Sequence, residues 1–251
     1  MGTSTSRQEG DGPEQHLMVR DRQEDQAKKN YNRLATYYDC WSSWERPYLD
    51  HALSLVGLDN VIGETVLEIG CGTGYCLEKI CLAGNIAVGI DISEKMVERT
   101  IARLQASVAN PEKYEVLCAS ATKLPFHVNK FDCVLICFTL ELFPVDIITA
   151  VIEEVERVLK PGGRLVAVSM SSDESVGCCC GCPMQCYKCS HKCCPTIVDC
   201  RPIGLLSYCA KSEMLVPTDV QVLPFYGLAV ESVVCKRVNK KALTAGSLFT
   251  N

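Results

Sequence analysis

The sequence predicts an α/β fold with a doubly wound, mostly parallel sheet, and three features of the chain support this prediction. Short apolar runs alternate with helix-like segments from residue 65 to residue 170, and tight turns separate them. Strands that alternate with helices across short turns specify a parallel sheet covered on both faces. Two further strand-like runs near the C-terminus are close enough to form an antiparallel hairpin, which we place at one sheet edge.

The composition is that of one globular domain. The chain has 251 residues, of which 47% are apolar and 22% are charged. Its net charge of −5 gives no electrostatic reason to expect a nucleic acid as the main partner. No apolar run approaches the roughly 18 to 20 residues of a membrane span, and the N-terminus lacks the apolar stretch of a secretory signal, so we expect a cytoplasmic protein.

Composition also divides the chain into segments. Residues 1–29 contain hardly any large apolar side chain and are expected to form a disordered tail, because they cannot offset the entropy of ordering. The folded domain is expected to cover residues 30–238, followed by a second tail at residues 239–251. Within the domain, residues 171–200 form a cysteine-rich segment.

The first part of the domain changes from helical to strand periodicity. Aromatic residues between positions 31 and 48, and apolar spacing up to Val56, predict helices that end at Gly57. The next elements are predicted as a buried strand at Thr65–Ile69, a tight turn at residues 70–74 and a helix at Tyr75–Leu82.

The later elements continue the alternation up to the C-terminal hairpin. Ser93 is expected to be the N-cap of a long helix, with Glu94 in its first turn. The predicted elements after residue 82 are strand 86–90, helix 93–108, strands Tyr114–Cys118 and Phe131–Cys137, helix 145–159, strand 164–170, helix 202–211, and strands 215–223 and 228–238.

The glycine turn after the first strand predicts a ligand site. A Cβ atom at Gly70 or Gly72 would block a ligand from the backbone. The site is expected outside the carboxyl ends of the strands, where the strand order reverses. Asp91 ends the second strand 17 residues after Gly74, close to the spacing of an acidic residue that binds ribose hydroxyls.

A dinucleotide is a poor match for this turn. Tyr75 occupies the third glycine position of the nicotinamide-cofactor fingerprint. Glu68 also places a carboxylate two residues before the first glycine, which suits an ammonium or sulfonium group better than a pyrophosphate. The implied ligand is cationic at one end and a ribonucleoside at the other.

Several segments occur together in an order that is typical of one family. They are Glu68 with Gly70, Gly72 and Gly74; residues 89–93 with Met96; residues 124–126 before Phe131 and Asp132; and residues 159–163. With these segments the chain resembles class I S-adenosylmethionine-dependent methyltransferases, closest to the small-molecule type 11 group that includes quinone-biosynthesis C-methyltransferases. The resemblance covers about residues 31–238.

The resemblance implies a Rossmann-like enzyme that transfers a methyl group from S-adenosylmethionine to a small organic acceptor by in-line displacement. Its glycine turn would hold the methionine part, Asp91 the ribose, and Ile92 and Met96 the adenine. The cysteine-rich segment would lie over the substrate side. The implied cofactor-binding residues are Tyr31, Tyr38, Glu68, Gly70, Cys71, Gly72, Gly74, Asp91, Ile92, Met96, Ser120, Ala121, Phe138 and Thr139.

One position departs from the family pattern. Ser120 and Ala121 stand where the family usually has Asp-Ala, with the aspartate reaching the adenine amino group. A serine hydroxyl can accept a hydrogen bond but adds no charge. We therefore expect weaker selection of adenine, or contact through the Ala121 backbone.

The sequence does not designate a general base, and none is needed unless the acceptor keeps its proton at neutral pH. Glu141, Tyr38 and His127 are the candidates. A surface or helix-capping role for Glu141 and a solvated loop for His127 are the alternatives. Tyr31 and Tyr38 could equally be ordinary packing residues.

The cysteines are unusually numerous and uneven. Of 18 cysteines, eight lie between Cys178 and Cys194, while single ones such as Cys40, Cys81 and Cys133 are expected to be small buried apolar residues. Three interpretations of the cluster remain open: zinc binding, S-acylation and inert thiols. The candidate zinc ligands are Cys179, Cys182, Cys186 and Cys189.

S-acylation is linked to a second feature. The N-terminus fits the myristoylation pattern with Gly2 as acceptor, and two lipid signals together would allow peripheral membrane association. Two alternative functions therefore accompany the small-molecule enzyme: a methyltransferase with a protein or thiol acceptor, and a non-catalytic binding protein that is lipid-anchored or zinc-linked.

Overall fold

A seven-stranded mixed sheet organises the part of the chain that the computed structural model describes, namely residues 13–173, 200–225 and 228–239. The strand order is β3-β2-β1-β4-β5-β7-β6. The first five strands pair in parallel, whereas β7 is antiparallel to both β5 and β6. The strands are β1 Thr65–Ile69, β2 Ile86–Asp91, β3 Tyr114–Cys118, β4 Phe131–Cys137, β5 Leu159–Met170, β6 Leu215–Phe225 and β7 Leu228–Arg237.

Helices cover both faces of this sheet, as the alternation of elements predicts. One apolar core includes Leu67 and Ile69 of β1 together with buried residues of the sixth helix, and the other includes Val66 of β1 with residues of the third and fourth helices. No described helix is both long and apolar enough to span a membrane. The helices are α1 Pro13–Leu34, α2 Tyr38–Trp41, α3 Arg46–Val56, α4 Tyr75–Leu82, α5 Glu94–Ser107, α6 Val145–Val158 and α7 Leu205–Cys209.

Local sequence signals account for several of these elements. The helical spacing in α6 buries Ile148, Val151 and Val155 on one face against the sheet. At the start of α5, the Ser93 Oγ accepts a hydrogen bond from the Met96 N–H at 3.2 Å, which confirms the predicted N-cap. The doubly wound fold and the antiparallel hairpin at the β6 edge are also confirmed.

Two predicted boundaries differ from the structure because tertiary pairing extends the strands. β5 begins at Leu159 instead of residue 164, since Leu159 pairs with Phe131 before a bulge in the β4–β5 ladder. The predicted helix 202–211 is helical only over α7. Ile203 forms a parallel bridge with Ser171, which keeps the backbone before α7 extended.

The N-terminal segment differs more. Residues 13–29, predicted as part of a disordered tail, belong to α1, and residues 1–12 and 240–251 lie outside the described residues. Helix α1 docks on the start of α5 through polar contacts. Lys28 forms an ion pair with Glu94, and Asn32 Oδ1 accepts hydrogen bonds from the Ser93 hydroxyl and the Lys95 N–H. A composition argument based on apolar residues could not detect this polar attachment.

The cysteines of the described residues are free thiols. Cys81 and Cys133 are buried as expected, but Cys40 is exposed, so the prediction is wrong for that residue. Cys40 lies on the short helix α2 with its side chain exposed. The cluster between Cys178 and Cys194 lies outside the described residues, as does Gly2.

Gly89 in β2 provides a test of the packing between sheet and helix. A Cβ atom there would lie 2.4 Å from Leu77 Cδ1 and 3.1 Å from Cys71 Sγ. We expect Gly89→Ala to lower the free energy of unfolding by about 1–3 kcal/mol, because buried neighbours must shift. Urea denaturation measures this change.

Gly204→Ala is the matched control, since a Cβ atom at that position would have its nearest neighbour 3.4 Å away. We expect it to change the unfolding free energy by less than about 0.5 kcal/mol. Equal stabilities for the two variants would contradict tight packing around Gly89.

Candidate functional site

A crevice opens at the carboxyl ends of β1, β2 and β4. The chain connects β1 to β2 on one side and reaches β4, the other neighbour of β1, only after β3, so the strand order reverses between β1 and β4. Ligands of doubly wound sheets bind at such a reversal. The fold therefore places the predicted glycine turn at the centre of the crevice.

The turn comes so close to the β4 strand end that residue 70 must be small. Gly70 has a φ of 76°, and a Cβ atom on it would lie 2.3 Å from Thr139 Oγ1. Gly70 N and Cys71 N both donate to Ile90 O, at 2.9 and 3.0 Å. These contacts hold the turn against the ends of two neighbouring strands.

Asp91 connects the turn to the following helix. Its Oδ2 accepts a hydrogen bond from Gly72 N at 3.0 Å, and its Oδ1 accepts one from Ser93 N at 2.9 Å. Burial raises the pKa of Asp91 to about 6, although these backbone donors favour the charged form. Asp91 therefore shapes the turn in addition to lining the crevice.

Glu68 is the second carboxyl group of the crevice, and it lies deeper. Its side chain is only 4% exposed, and its Oε2 atom has no hydrogen-bond partner within the described residues. Burial, reinforced by the negative charge of Asp91, raises the pKa of Glu68 to about 8. A buried oxygen without a donor is costly, so this atom is a suitable acceptor for a ligand ammonium group.

Two cavities in the crevice share Tyr38, Gly70, Gly72 and Cys137. The larger encloses about 940 Å³, part of it open to solvent, which lies within the usual range of ligand pockets, roughly 300–1,000 Å³. Asp91 and Ser120 supply polar groups to it. The smaller cavity, of about 500 Å³, contains Glu68. The crevice thus has an acidic end and a larger, mostly apolar end.

The structure gathers nearly all the predicted cofactor-binding residues here. Gly74 is the exception: it is the N-cap of α4 and packs against Thr100 instead of lining a cavity. The residues that line one or both cavities are Tyr31, Tyr38, Glu68, Gly70, Cys71, Gly72, Asp91, Ile92, Met96, Ser120, Ala121, Phe138 and Thr139. Their individual contacts with a ligand remain predictions.

The three candidate bases lie in different environments. Glu141 is 1% exposed, and its Oε1 accepts a hydrogen bond from Met170 N at 3.0 Å, so it supports β5 and does not line either cavity. His127 is exposed in the connection between β3 and β4, away from both cavities. Tyr38 lines both cavities and lies 6.3 Å from Tyr31, measured between ring centroids.

Phe138 has an unusual backbone at the crevice floor. Its φ of 48° is rare for a bulky residue, and such strain persists where surrounding contacts enforce it. The Phe138 ring lies 5.4 Å from Trp44 and 6.2 Å from Tyr48, and both of those rings also contact Phe225 of β6. This aromatic cluster connects the crevice floor to the C-terminal hairpin.

Sequence reasoning missed several lining residues, among them two groups in the larger cavity. Glu24 and Ala27 of α1 lie in the segment predicted as a tail, although they share a helical face with Tyr31. The i, i+3 and i+7 spacing could have found them. The second group is the apolar wall between β4 and α6, which consists of Leu142, Phe143, Pro144 and Ile147.

No group of three or more His, Cys, Asp or Glu side chains in the described residues is arranged to hold a metal ion. The candidate zinc ligands Cys179, Cys182, Cys186 and Cys189 lie outside those residues.

Comparison with known proteins adds to this geometry. Residues 66–163 match the family model of a methyltransferase domain. A demethylmenaquinone methyltransferase of Lactococcus lactis is 31% identical over 154 residues, which cover 59% of this chain and 60% of that protein. The match thus spans less than two thirds of that relative's length.

Solved structures show the same fold. Magnesium protoporphyrin IX methyltransferase from Synechocystis, with bound S-adenosylhomocysteine, superposes with a TM-score of 0.67 at 16% identity, covering 86% of this chain and 99% of that one. The Burkholderia thailandensis 1,6-didemethyltoxoflavin-N1-methyltransferase gives a TM-score of 0.63 at 15% identity, covering 93% and 94%. At such low identity these likenesses establish the fold alone.

The buried Glu68 leads to a prediction about pH and stability. Because its pKa rises from 4.5 to about 8 on folding, the folded protein binds more protons than the unfolded chain between those values, and stability falls as pH rises through that window. We expect ligand-free Glu68→Gln to exceed the wild type in unfolding free energy by about 1–3 kcal/mol at pH 8. The difference should shrink toward pH 5.

Urea denaturation across this pH range measures the effect. Glu98→Gln is the control, since the Glu98 side chain is 61% exposed and pairs with Lys95 at the surface. Its stability curve should run parallel to that of the wild type. Parallel curves for Glu68→Gln and the wild type would contradict the raised pKa.

Proposed function

We propose that the chain, which belongs to the class I S-adenosylmethionine-dependent methyltransferases, transfers a methyl group to a small organic acceptor. The observation that carries this proposal is the crevice with one buried carboxyl group on each side of a glycine turn. Glu68 suits an ammonium group, and Asp91 suits the hydroxyls of a ribose.

The residues of the crevice fit S-adenosylmethionine. Among the described residues Glu68 Oε2 is a buried acceptor without a donor, and Gly70 and Gly72 line both cavities. Asp91 would hold the ribose, and Ile92 and Met96 would pack on the adenine in the larger cavity. When bound, this cofactor supplies a methyl group that its sulfonium already activates for transfer.

The protein's own contribution is mainly alignment and the exclusion of water. Tyr31 and Tyr38 cover the crevice from the N-terminal side, and Phe138 and Thr139 form its floor at the end of β4. Holding an acceptor in line with the methyl group can supply about 7 to 11 kcal/mol of the barrier. We assign no general base: Glu141 and His127 lie away from the cavities, and Tyr38, which lines both of them, is assigned to covering the crevice.

The acceptor is proposed to be a planar apolar compound of the quinone class. The wall between β4 and α6 presents Leu142, Phe143 and Ile147 to the larger cavity, and Phe138 borders it. An apolar, partly aromatic wall favours a ligand of the same character. Support also comes from the curated relatives, which are demethylmenaquinone methyltransferases.

Cofactor binding is the first test. We expect isothermal titration calorimetry to detect S-adenosylhomocysteine binding by the wild type, and Asp91→Asn to weaken it at least about 10-fold, since a hydrogen bond to a charged group contributes roughly 1.5–3 kcal/mol. Glu98→Gln should bind like the wild type. Absence of binding by the wild type would end the assignment.

Turnover is the second test. The purified chain is incubated with methyl-labelled S-adenosylmethionine and either alkylated naphthohydroquinones or a protein extract, and the label is followed into each fraction. We expect label in the hydroquinone alone, and Asp91→Asn to reduce it at least about 10-fold at a cofactor concentration below the dissociation constant. Label in protein would favour the protein-acceptor alternative, and cofactor binding without transfer to any metabolite would favour the non-catalytic one.

A further inference from the structure

Position 120 lacks the carboxylate that a methyltransferase of this class usually has beside adenine, because the residue there is Ser120. Adenine carries an exocyclic amino group, which donates hydrogen bonds and is best met by an acceptor. A serine hydroxyl is a weaker acceptor than a carboxylate. The structure brings a carboxylate to the same place from a different element.

That carboxylate belongs to Glu24 of α1. Its Oε1 accepts a hydrogen bond from Ser120 Oγ at 2.8 Å and another from Thr122 Oγ1 at 3.1 Å. Thr122 N in turn donates to Ser120 Oγ at 3.3 Å. Two hydroxyl groups from the loop after β3 thus hold the Glu24 carboxylate in one position.

Glu24 lies at the correct end of the crevice. It lines the larger cavity together with Ser120, Ala121, Ile92 and Met96, and it does not line the smaller cavity that contains Glu68. If the methionine part of S-adenosylmethionine lies near Glu68, its adenine ring lies in the larger cavity. The Glu24 carboxylate then faces the edge of the adenine ring.

Helix α1 is attached firmly enough to place this side chain. Lys28, one turn after Glu24, forms an ion pair with Glu94, and Asn32 Oδ1 accepts a hydrogen bond from the Ser93 hydroxyl at 2.7 Å. Tyr31, two turns after Glu24, lines the same cavity. The face of α1 that carries Glu24 therefore rests on the start of α5 and over the crevice.

We infer that Glu24 is the specificity-determining residue that recognises the exocyclic amino group of the cofactor's adenine, with Ser120 and Thr122 as positioning residues. This inference rests on the proposed function. A carboxylate offers about four acceptor sites, enough to accept from both hydroxyls and from an amino group together. Helix α1 thereby supplies, through Glu24, the carboxylate that position 120 lacks.

The test compares two ligands that differ at the C6 edge of the base, in the C6 substituent and in the proton on N1. S-adenosylhomocysteine presents an amino donor, whereas S-inosylhomocysteine presents a carbonyl oxygen that a carboxylate disfavours. Calorimetry on the full chain should show the wild type preferring the adenosyl compound by at least about 10-fold. Glu24→Gln should weaken adenosyl binding by about 10- to 100-fold and reduce or invert the preference, since an amide can donate to the carbonyl.

Asp25→Asn is the matched control, because Asp25 neighbours Glu24 on α1 but is exposed and does not line the cavity. It should keep the wild-type preference.

Ser120→Ala, which removes the 2.8 Å hydrogen bond to Glu24, should reduce the preference several-fold without changing the fold. Ser120→Asp introduced into Glu24→Gln should restore the preference for the adenosyl compound.

The outcomes separate this inference from the proposed function. A wild type that binds neither ligand overturns the proposed function, and the inference with it. A wild type that binds both equally overturns the inference alone, as does a Glu24→Gln protein with an unchanged preference. If Glu24→Gln does not fold, Ser120→Ala decides, and an unchanged preference in that variant overturns the inference.

Discussion

The hydrogen bond from Gly72 N to Asp91 Oδ2, 3.0 Å long, joins the turn after β1 to the end of β2, and the geometry of the crevice depends on this link. Gly70 and Cys71 donate to Ile90 O immediately beside it. Because these donors come from consecutive residues, the turn has little freedom to move away from β2. The crevice next to this turn is consequently preformed by the sheet. Residues from other elements line the rest of it.

The two buried carboxyl groups of the crevice favour a cationic ligand, but they lower the stability of the ligand-free protein. Burial raises the pKa values of both Glu68 and Asp91. The charged form of each carboxyl group is therefore less stable in the folded protein than it would be in water. A ligand ammonium group near Glu68 would supply the donor that its Oε2 lacks in the part of the chain that the structure describes. Carboxyl groups whose pKa is raised by burial are typical of binding sites.

The C-terminal hairpin and the N-terminal helix both contribute to the surroundings of the crevice, the first indirectly and the second as part of its lining. Phe138, with its strained φ of 48°, is held by Trp44 and Tyr48, and Phe225 of β6 packs on those two rings. Helix α1 brings Glu24 to Ser120. Elements far apart in the chain thus complete a site whose centre is formed by a short contiguous segment. Helix α1, whose residues 13–29 composition placed in a tail, contributes directly to it.

The sequence by itself determined the doubly wound sheet, the glycine turn and the two carboxyl groups beside it, because strand periodicity, glycine spacing and capping are local properties that neighbouring residues encode. The Ser93 N-cap and the edge hairpin follow from the same local rules. Only the tertiary structure decided that Glu141 supports β5 away from the cavities, that Leu159 joins a strand, and that α1 docks on α5. Those outcomes depend on contacts between residues roughly 30 to 100 positions apart, whose pairing becomes visible only once the sheet has brought them together.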